Sequence, residues 1–286
     1  MSGRIEYAGV KLLEYWAARL ALAAPAPAVK LLRLARPRLR RTALRNLELA
    51  GFEDRERIAG GVFRSLERLL RSFAQFPRIN KDNVHQWIRY QGLEHFTAAQ
   101  ARGRGVLVAT AHLGNWELSA FTHAYMTGPM HIVVRPIENP KVDALVERYR
   151  ALSGNPIIRK KEAAREILTA LKAGAAVGIL IDQNVIASEG VFIDFFGVKA
   201  CAGTAFVKFA HHSGAAVVPG FALWEEKERR YVLRFYPEIK MTDDVQADTQ
   251  RVHSFLESVI REYPDQWLWI HRRWKTRPPG EPDLYG

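Results

Sequence analysis

From Gly105 onward, the sequence alternates between short apolar runs rich in β-branched residues and segments with helical periodicity. This alternation restricts the fold more than any other feature, because it is typical of α/β domains whose helices cover a largely parallel sheet. The predicted strands cover residues 105–111, 130–135, 156–159, 176–181, 215–223 and 230–237. The predicted helices cover residues 116–126, 138–152, 161–173, 203–213 and 246–262. We expect the last two strands to form an antiparallel hairpin at one edge, which makes the sheet mixed.

The N-terminal part of the chain has a different pattern. Between Asp54 and Phe76, apolar residues recur at helical spacing and predict an amphipathic helix. We therefore divide the chain into a helical N-terminal region, residues 1–90, and an α/β domain, residues 91–286. The tail from Arg277 is rich in proline and glycine and is expected to be irregular.

Residues 5–36 combine an alanine- and leucine-rich middle with Tyr15, Trp16 and flanking basic side chains. Their longest uncharged run, residues 20–29, contains two prolines and is well short of the roughly 20 apolar residues that cross a bilayer. We interpret the segment as an amphipathic helix at a membrane interface, with an ordinary core helix as the alternative. The basic residues that follow could face anionic lipid or solvent; they are Arg33, Arg36, Arg38, Arg40, Arg41 and Arg45.

The charge balance of the chain is strongly positive. It carries 42 Lys and Arg residues against 30 Asp and Glu residues, a net charge of +12. A field of this sign attracts nucleic acid, anionic lipid, or acidic ligands and carrier proteins. We expect no nucleic-acid partner, because no binding motif for nucleic acid is present. The single cysteine, Cys201, excludes an intrachain disulfide, and we expect it to be a small packing residue.

The first strand of the alternating region ends at a histidine. After the apolar run come His112, Gly114 and Asn115, and then a helix-compatible segment with Glu117 in its first turn. His112 would leave the strand at its carboxyl end, where open α/β sheets bind ligands. Side chains five residues apart on one helix point about 140° away from each other. His112 can therefore meet Glu117 only from the turn before the helix, which Asn115 is expected to cap.

Such a pair suits proton transfer from an alcohol. A neutral imidazole takes a proton from a hydroxyl when a carboxylate orients its other nitrogen and stabilises the imidazolium. We predict that His112 is the general base and that Glu117 orients it; the alternative is a structural histidine beside a solvated glutamate. Without a Gly-x-Ser-x-Gly motif, the attacking hydroxyl could belong to the substrate. Because the sequence has no P-loop, dinucleotide fingerprint or His-Glu-x-x-His motif, no metal or cofactor is predicted.

Polar residues also end the neighbouring strands at the same rim. Arg135 ends the second predicted strand, and Asp182 and Gln183 end the fourth. A charged side chain at the end of an apolar strand is a candidate for a site at this rim. Arg135 could instead pair with Glu138 or Asp143. A basic cluster after the third strand could dock a carrier protein, bind phosphate or face solvent; it consists of Arg159, Lys160, Lys161 and Arg165.

These blocks resemble one family in their order. His112-Leu-Gly-Asn-Trp-Glu117 resembles the His-x4-Asp/Glu box of the glycerolipid acyltransferase superfamily, and its Gly-Asn-Trp-Glu form is similar to that of the lipid A late acyltransferases, the lauroyl and myristoyl transferases. Further matching blocks follow in order along nearly the whole chain. They are Val133–Pro136, Asn139–Asp143, Val177–Gln183, Val191–Gly197 with Thr204, Val217–Pro219 and Pro264–Trp274.

The resemblance implies a glycerolipid acyltransferase-like fold and O-acyl transfer by a histidine base without an acyl-enzyme. The donor would be an acyl thioester on acyl carrier protein, and the acceptor a hydroxyl of an anionic glycolipid, the lipid A precursor. The site would lie at the cytoplasmic face of the inner membrane, in a protein bound peripherally or anchored by its N-terminal segment. The membrane surface is thus a third expected partner.

The resemblance also implies roles for the remaining candidate residues. Arg135 would contact phosphate or position the acceptor, while Asp182 and Gln183 would lie by the pocket and support the histidine or contact the acceptor sugar. A purely structural role is the alternative for Asp182 and Gln183. Donors near Gly114 and Asn115, or Arg135, could stabilise the tetrahedral oxyanion.

The aromatic segments of these blocks have predicted roles as well. Phe195 and Phe196 are expected to wall the acyl pocket, and Thr204 to cap a helix. The tryptophans and arginines of Trp267–Trp274 could anchor the domain at a lipid surface, with a buried C-terminal strand as the alternative.

Two alternatives to this function stay open. The acceptor could be a lysophospholipid, an aminolipid or another glycolipid. Water could also replace the lipid hydroxyl, which would make the protein a thioesterase.

Overall fold

The structure is a computed structural model, and it describes residues 2–159 and 163–286. Its helices are α1 (Ser2–Ala23), α2 (Pro25–Ala35), α3 (Pro37–Leu49), α4 (Arg55–Ala74), α5 (Leu93–Gln100), α6 (Trp116–Met126), α7 (Pro140–Ala151), α8 (Ala163–Lys172), α9 (Ala205–Ser213) and α10 (Val245–Glu262). Its strands are β1 (Ile88–Gln91), β2 (Val106–Thr110), β3 (His131–Val134), β4 (Ile157–Arg159), β5 (Ala176–Leu180), β6 (Gly190–Phe195), β7 (Val198–Gly203), β8 (Ala216–Glu225) and β9 (Arg230–Phe235).

Seven of the strands in the described part of the chain form one sheet in the order β1-β9-β8-β2-β5-β3-β4. The five strands from β8 to β4 run parallel to one another, whereas β9 is antiparallel to β8 and β1 is parallel to β9. Helices flank this sheet on both faces. The predicted fold class, a mixed and largely parallel sheet with helices and a helical N-terminal region, is therefore confirmed.

All six predicted strands are present, and the last two form the expected antiparallel hairpin. The hairpin does not end the sheet, because β1 pairs with β9 and covers its outer side. We did not predict β1, since Ile88–Gln91 is short and has polar side chains at three of its four positions. A strand this short shows no period that separates it from a loop.

A second hairpin, formed by β6 and β7, was also missed. Its turn places Phe196 at φ 57° and Gly197 at φ 77°, so both residues are left-handed. Tight hairpins prefer such turns but normally build them from Asn, Asp or Gly, and phenylalanine gives no such signal. Tertiary contacts hold Phe196 in place: its backbone N–H donates to Glu257, and its ring packs against Phe52 and Trp269.

The parallel strands bury both faces of the sheet. On one face, Val108 packs with Phe121 of α6 and with Phe76, which follows α4. On the other face, Leu107 and Val177 pack in a separate core against α8, α9 and α10. Residues two apart along a strand share a face, and this alternation decides which side chains can line a site between the sheet and α6.

Up to Ala74, the described part of the N-terminal region forms four helices that pack on the rest of the protein. The segment interpreted as one interfacial helix is two helices, because Pro25 begins α2 immediately after the break at Ala24. Asn46 of α3 ties this region to the C-terminal segment, since its side-chain amide donates to the carbonyl oxygens of Trp269 (2.5 Å) and His271 (2.7 Å). Across the described residues, no helix combines the length and the apolar character needed to cross a bilayer. The domain boundary at residue 90 stays a prediction.

The C-terminal aromatic segment is buried, so the expectation that it anchors the protein at a lipid surface is wrong. Trp267, Trp269 and Trp274 are at most 2% exposed, and none lies in a strand. They pack with Phe195 and Phe196 in one core cluster, and none of these five side chains lines the cavity described below. The prediction that these phenylalanines wall the acyl pocket is therefore wrong as well. The tail from residue 277 has no regular structure, as expected.

Candidate active site

The turn after β2 puts His112 outside α6, as the spacing requires. Gly114 has φ +64°, and a Cβ atom there would lie 2.0 Å from the carbonyl oxygen of Ala222. The position therefore accepts only glycine. Asn115 caps α6 by accepting the Leu118 N–H at 3.0 Å, and its own amide donates to Ser72 Oγ at 2.5 Å. The turn is thus fixed by the neighbouring strand on one side and by α4 on the other.

The carboxylate that binds the imidazole of His112 is Asp182. His112 Nδ1 lies 2.9 Å from Asp182 Oδ1, and the His112 backbone N–H donates to Oδ2 at 3.1 Å. The indole N–H of Trp267 donates to the same Oδ2 at 2.8 Å. The sheet register explains the meeting, because Thr110 lies opposite Leu180 and the two functional residues each come two positions later. Asp182 is 3% exposed, so its hydrogen bonds are formed without competition from water.

Glu117 does not bind the imidazole, which corrects the expected pairing. It accepts two hydrogen bonds from the guanidinium of Arg150 on α7, from Nε at 2.9 Å and from Nη2 at 2.5 Å. Both side chains are largely buried. Glu117 begins α6 on the side that faces α7, whereas His112 turns toward the end of β5. We missed Arg150 because nothing in the local sequence distinguishes it from other helical arginines.

The electrostatics of the His112–Asp182 pair favour an imidazolium. Burial lowers the pKa of His112, but the charge of Asp182 and the hydrogen bond to it, with a smaller contribution from Glu117, raise the pKa above its usual value. Burial acts in the opposite sense on Asp182, and the attraction and hydrogen bonds of His112 and Trp267 outweigh it, so the pKa of Asp182 stays well below its usual range. Asp182 therefore keeps its negative charge across the pH range in which His112 gains or loses its proton.

Two further histidines lie close to the pair. The ring of His253 lies between the carbonyl oxygens of Thr249 (2.8 Å) and Ile181 (3.1 Å), and Nε2 of His271 accepts the Asn184 N–H at 3.0 Å. Burial lowers the pKa of each to about 4. They contact the backbone on either side of Asp182. His271 lies in Pro264–Trp274, one of the blocks that resemble the acyltransferase family, but the sequence does not predict its contact with Asn184.

An apolar cavity lies next to Trp116, a neighbour of His112. Trp116, whose ring meets that of His112 edge-on with centroids 4.9 Å apart, forms part of its wall. The cavity measures about 60 Å³ and lies between α6 and the face of the sheet formed by β2, β5 and β3. Glu117 and Arg150 contribute its main charged surface. Its apolar lining suits the hydrocarbon part of a ligand.

The chain matches the family model described as bacterial lipid A biosynthesis acyltransferase over residues 8–276.

The protein belongs to this family of acyltransferases.

Named relatives agree with this assignment. The chain is 33% identical over 262 residues to the lipid A biosynthesis palmitoleoyltransferase of Escherichia coli K12, covering 88% of this chain and 85% of the relative. It is 31% identical over 205 residues to the lauroyltransferase of the same organism, covering 71% and 66%. A phosphatidylinositol mannoside acyltransferase of Mycobacterium tuberculosis is 27% identical over 219 residues, covering 73% and 68%.

The predicted oxyanion donors of the turn after β2 already donate to backbone carbonyl oxygens. The Gly114 N–H donates to the carbonyl oxygen of Gln266 at 2.9 Å, and the Asn115 N–H donates to that of Ala222 at 2.8 Å. Asn115 is also fully buried. Direct donation from these two amides to substrate is therefore wrong; both residues build the turn instead.

Arg135 and Gln183 lie at the predicted rim and are exposed. Arg135 follows β3, two strands from β2, and does not take up the alternative pairing with Asp143. That carboxylate lies 3.5 Å from Arg159 and accepts the Ile137 N–H. Binding of substrate by Arg135 and Gln183 stays a prediction.

The remaining candidates have structural surroundings. Arg159 is paired with Glu147 at 2.7 Å, while Lys160 and Lys161 lie outside the described residues. Cys201 is buried, which raises the pKa of its thiol and agrees with a packing role. Within residues 2–159 and 163–286, no group of three or more His, Cys, Asp or Glu side chains could hold a metal ion.

Proposed function

We propose that the protein transfers a fatty acyl group from acyl carrier protein to a hydroxyl of a lipid A precursor, with His112 as general base and without an acyl-enzyme. One observation carries the proposal: in a chain of the lipid A acyltransferase family, an imidazole hydrogen-bonded to a buried carboxylate lies beside an apolar cavity. The pair can activate an alcohol, and the cavity can hold an acyl chain.

The proton transfer follows from the hydrogen bonds of the imidazole. With Nδ1–H donated to Asp182, the free Nε2 of neutral His112 accepts the proton of the acceptor hydroxyl as its oxygen attacks the thioester carbonyl. Asp182 stabilises the imidazolium and is a positioning residue. When the tetrahedral intermediate collapses, the C–S bond breaks and the departing thiolate takes the proton from His112. The products are an ester and a free thiol.

Arg150 is the proposed stabiliser of the oxyanion. Its guanidinium lines the cavity next to Glu117, which fixes its orientation through two hydrogen bonds. A preorganised cation in a site shielded from water stabilises developing negative charge more strongly than it would in solvent. Glu117 then contributes to catalysis by holding Arg150, and its charge also helps to raise the pKa of His112. Arg135, exposed at the rim, is a second cation available to the acceptor phosphate.

The proposed site of action is the cytoplasmic face of the inner membrane. Four large apolar side chains of α1 and α2 are 52–70% exposed; they are Trp16, Leu20, Leu31 and Leu34. Arg19, Lys30, Arg33 and Arg36 are exposed on the same two helices or at their end. Apolar and basic side chains together are typical of helices that bind the interface of an anionic bilayer.

The binding surface is fixed relative to the active site. The side-chain amide of Asn139, which caps α7, donates to the Lys11 carbonyl oxygen at 2.8 Å and to Glu14 at 2.7 Å. Helix α1 therefore docks on α7, the helix that carries Arg150. Replacing Trp16, Leu20, Leu31 and Leu34 together by glutamine should reduce sedimentation with vesicles of anionic phospholipid at least tenfold. Unchanged sedimentation would contradict this orientation.

Reconstitution tests the reaction itself. Purified protein, acyl carrier protein loaded with a fatty acid and a lipid A precursor should give a product heavier by one acyl group in a mass spectrum. His112→Ala should lower the rate by about 10²- to 10⁴-fold. The matched control is His211→Ala, because His211 also lies 2.7 Å from a buried aspartate, Asp248, but outside the site. A near-normal rate for His112→Ala would rule out the mechanism.

Another glycolipid acceptor is the main alternative, and one comparison favours it. A phosphatidylinositol mannoside acyltransferase matches 73% of this chain. Transfer to phosphatidylinositol mannosides, lysophospholipids or aminolipids, with none to the lipid A precursor, would support this alternative. Release of free fatty acid in the absence and presence of every acceptor would indicate a thioesterase.

A further inference from the structure

The register of the sheet defines the depth of the acyl cavity. Thr110 of β2 lies opposite Leu180 of β5, and two residues further from the catalytic rim Val108 lies opposite Gly178. All four line the cavity on the same face. Met130, which also lines it, immediately precedes β3, whose first residue pairs with Val177. Met130 is therefore the lining residue of these strands that lies furthest from His112.

Helix α6 and the segment after α7 close the cavity at this depth. Phe121, on the second turn of α6, stacks on Phe76 with ring centroids 3.9 Å apart, and both rings line the cavity. Asn155 accepts the Met130 N–H at 2.9 Å and donates to the Ala120 carbonyl oxygen at 2.8 Å. These two hydrogen bonds join β3 to α6, so the floor of the cavity is held from both sides.

Gly178 leaves space at the floor that any other residue would occupy. A Cβ atom at this position would lie 3.3 Å from Cε and 3.4 Å from Sδ of Met130. The contact is with the end of a flexible thioether side chain, which can move by a few tenths of an ångström. A small side chain at 178 is therefore compatible with folding, but it would make the cavity shorter.

The depth of the cavity matches the length of a fatty acyl chain. The end of the Met130 side chain meets Gly178, which lies at the level of Val108, four positions before His112, or about 13 Å away at about 3.3 Å per residue. A fully extended chain advances about 1.25 Å per carbon–carbon bond, given a bond near 1.52 Å and an angle near 111°. The distance corresponds to roughly 10 or 11 carbon–carbon bonds. Relatives of this chain are named for acyl groups of different lengths, lauroyl, myristoyl and palmitoleoyl.

We propose that Met130 and Gly178 determine the length of the acyl chain that the protein accepts. The inference rests on the proposed function, because it concerns the acyl donor of the same site. The two residues act together: Gly178 keeps the floor open, and the Met130 side chain ends it. An acyl chain that is too long meets Met130 before its thioester reaches His112, whereas a short chain leaves apolar surface uncovered.

Substitutions at the two positions should change chain-length preference in opposite directions. Gly178→Ala and Gly178→Val should favour shorter donors, and Met130→Ala should favour longer ones. The measurement is the rate of transfer from acyl carrier protein loaded with saturated acyl groups from decanoyl to stearoyl. The ratio of rates for two donors that differ by two carbons should change about tenfold or more, since one methylene in an apolar pocket commonly changes specificity by that factor.

Matched controls separate length selection from a general loss of structure. Met126→Ala removes a methionine that packs in the same core but does not line the cavity. Gly128→Ala adds a methyl group where no atom lies within 4 Å. Both should leave the length profile unchanged. The proposal is wrong if the variants at 130 and 178 lower transfer equally for every donor or leave the ratio unaltered.

A binding measurement distinguishes failure of this inference from failure of the proposed function. If the wild-type protein transfers no acyl group, the proposed function fails, but the cavity can still be tested. Displacement of a fluorescent fatty acid by free fatty acids of graded length should then show the same opposite shifts for Gly178→Ala and Met130→Ala. Identical length profiles for all variants in that assay would overturn the proposal independently of catalysis.

Discussion

Asp182 and Glu117 are two carboxylates of the candidate active site, and they differ in whether the bound partner can lose a proton. Asp182, at the end of β5, binds the ring of His112 and the indole N–H of Trp267. Glu117, at the start of α6, accepts two hydrogen bonds from Arg150. An imidazole can lose its proton near neutral pH, whereas a guanidinium cannot. Asp182 can therefore assist proton transfer directly, while Glu117 fixes a permanent cation.

The largest expected effect is that of Asp182→Asn. The amide would offer an N–H group where Nδ1 needs an acceptor, so His112 would adopt the tautomer that cannot accept the substrate proton. We expect the rate of acyl transfer to fall about 10²- to 10⁴-fold. The matched control is Asp248→Asn, which alters the other buried aspartate hydrogen-bonded to a histidine. Equal loss of transfer per folded molecule in both variants would contradict the special position of Asp182.

Replacement of Glu117 should act differently. Glu117→Gln leaves the Arg150 guanidinium largely buried without its counter-charge, and we expect about 1–3 kcal/mol of lost stability in urea denaturation. Transfer should fall about 10- to 100-fold through misplacement of Arg150. Combining Glu117→Gln with Arg150→Met should recover part of the stability and none of the activity. Recovery of activity would show that the pair is only structural.

The third prediction tests how much the hydrogen bond from Trp267 to Asp182 contributes to the rate of transfer. Trp267→Phe retains an aromatic ring in the core and removes the indole N–H, for which we expect an approximately 10-fold lower rate. Trp269→Phe is the control, because that buried indole donates to the Pro264 carbonyl oxygen instead. A similar loss in both variants would assign the effect to packing.

The smallest effect is a shift in the pH dependence of the rate. His112 must be neutral to act as a base, and its pKa is raised by Asp182 and, less strongly, by Glu117. The rate should therefore fall as the pH drops through a pKa above the usual histidine value of about 6.5. Removing a negative neighbour disfavours the imidazolium, so Glu117→Gln should move this limb to lower pH, and Asp182→Asn should move it further. A shift to higher pH in either variant would contradict the assignment of the base.

Sequence periodicity predicted the central strands well, but it missed three others for physical reasons. β2, β5 and β8 are buried on both faces and read as continuous apolar runs. β1 is short and partly polar, so its pairing with β9 defines it more than its composition does. The β6–β7 turn depends on Phe196 in a left-handed conformation that distant aromatic residues stabilise. Local patterns cannot report such contacts.

The candidate site was predicted in part for the same reason. The turn that contains His112, Gly114 and Asn115 is local, and the structure has the cap and the glycine conformation that its spacing implies. The burial of Trp267 and Trp269 was not foreseeable, since an aromatic segment with arginines has the same composition at a lipid surface and in a core. Arg150 lacks any motif and acquires its role only by facing Glu117.

The sequence by itself determined the alternating α/β architecture, the place of His112 after a buried strand, and membership in a family of acyltransferases. These properties depend on residues close together in the chain or on the order of whole blocks. Only the tertiary structure decided which carboxylate serves the histidine. His112 and Asp182 are 70 residues apart and meet because β2 and β5 pair in register. Glu117 is only five residues from His112, but it binds Arg150, which is 33 residues further along the chain.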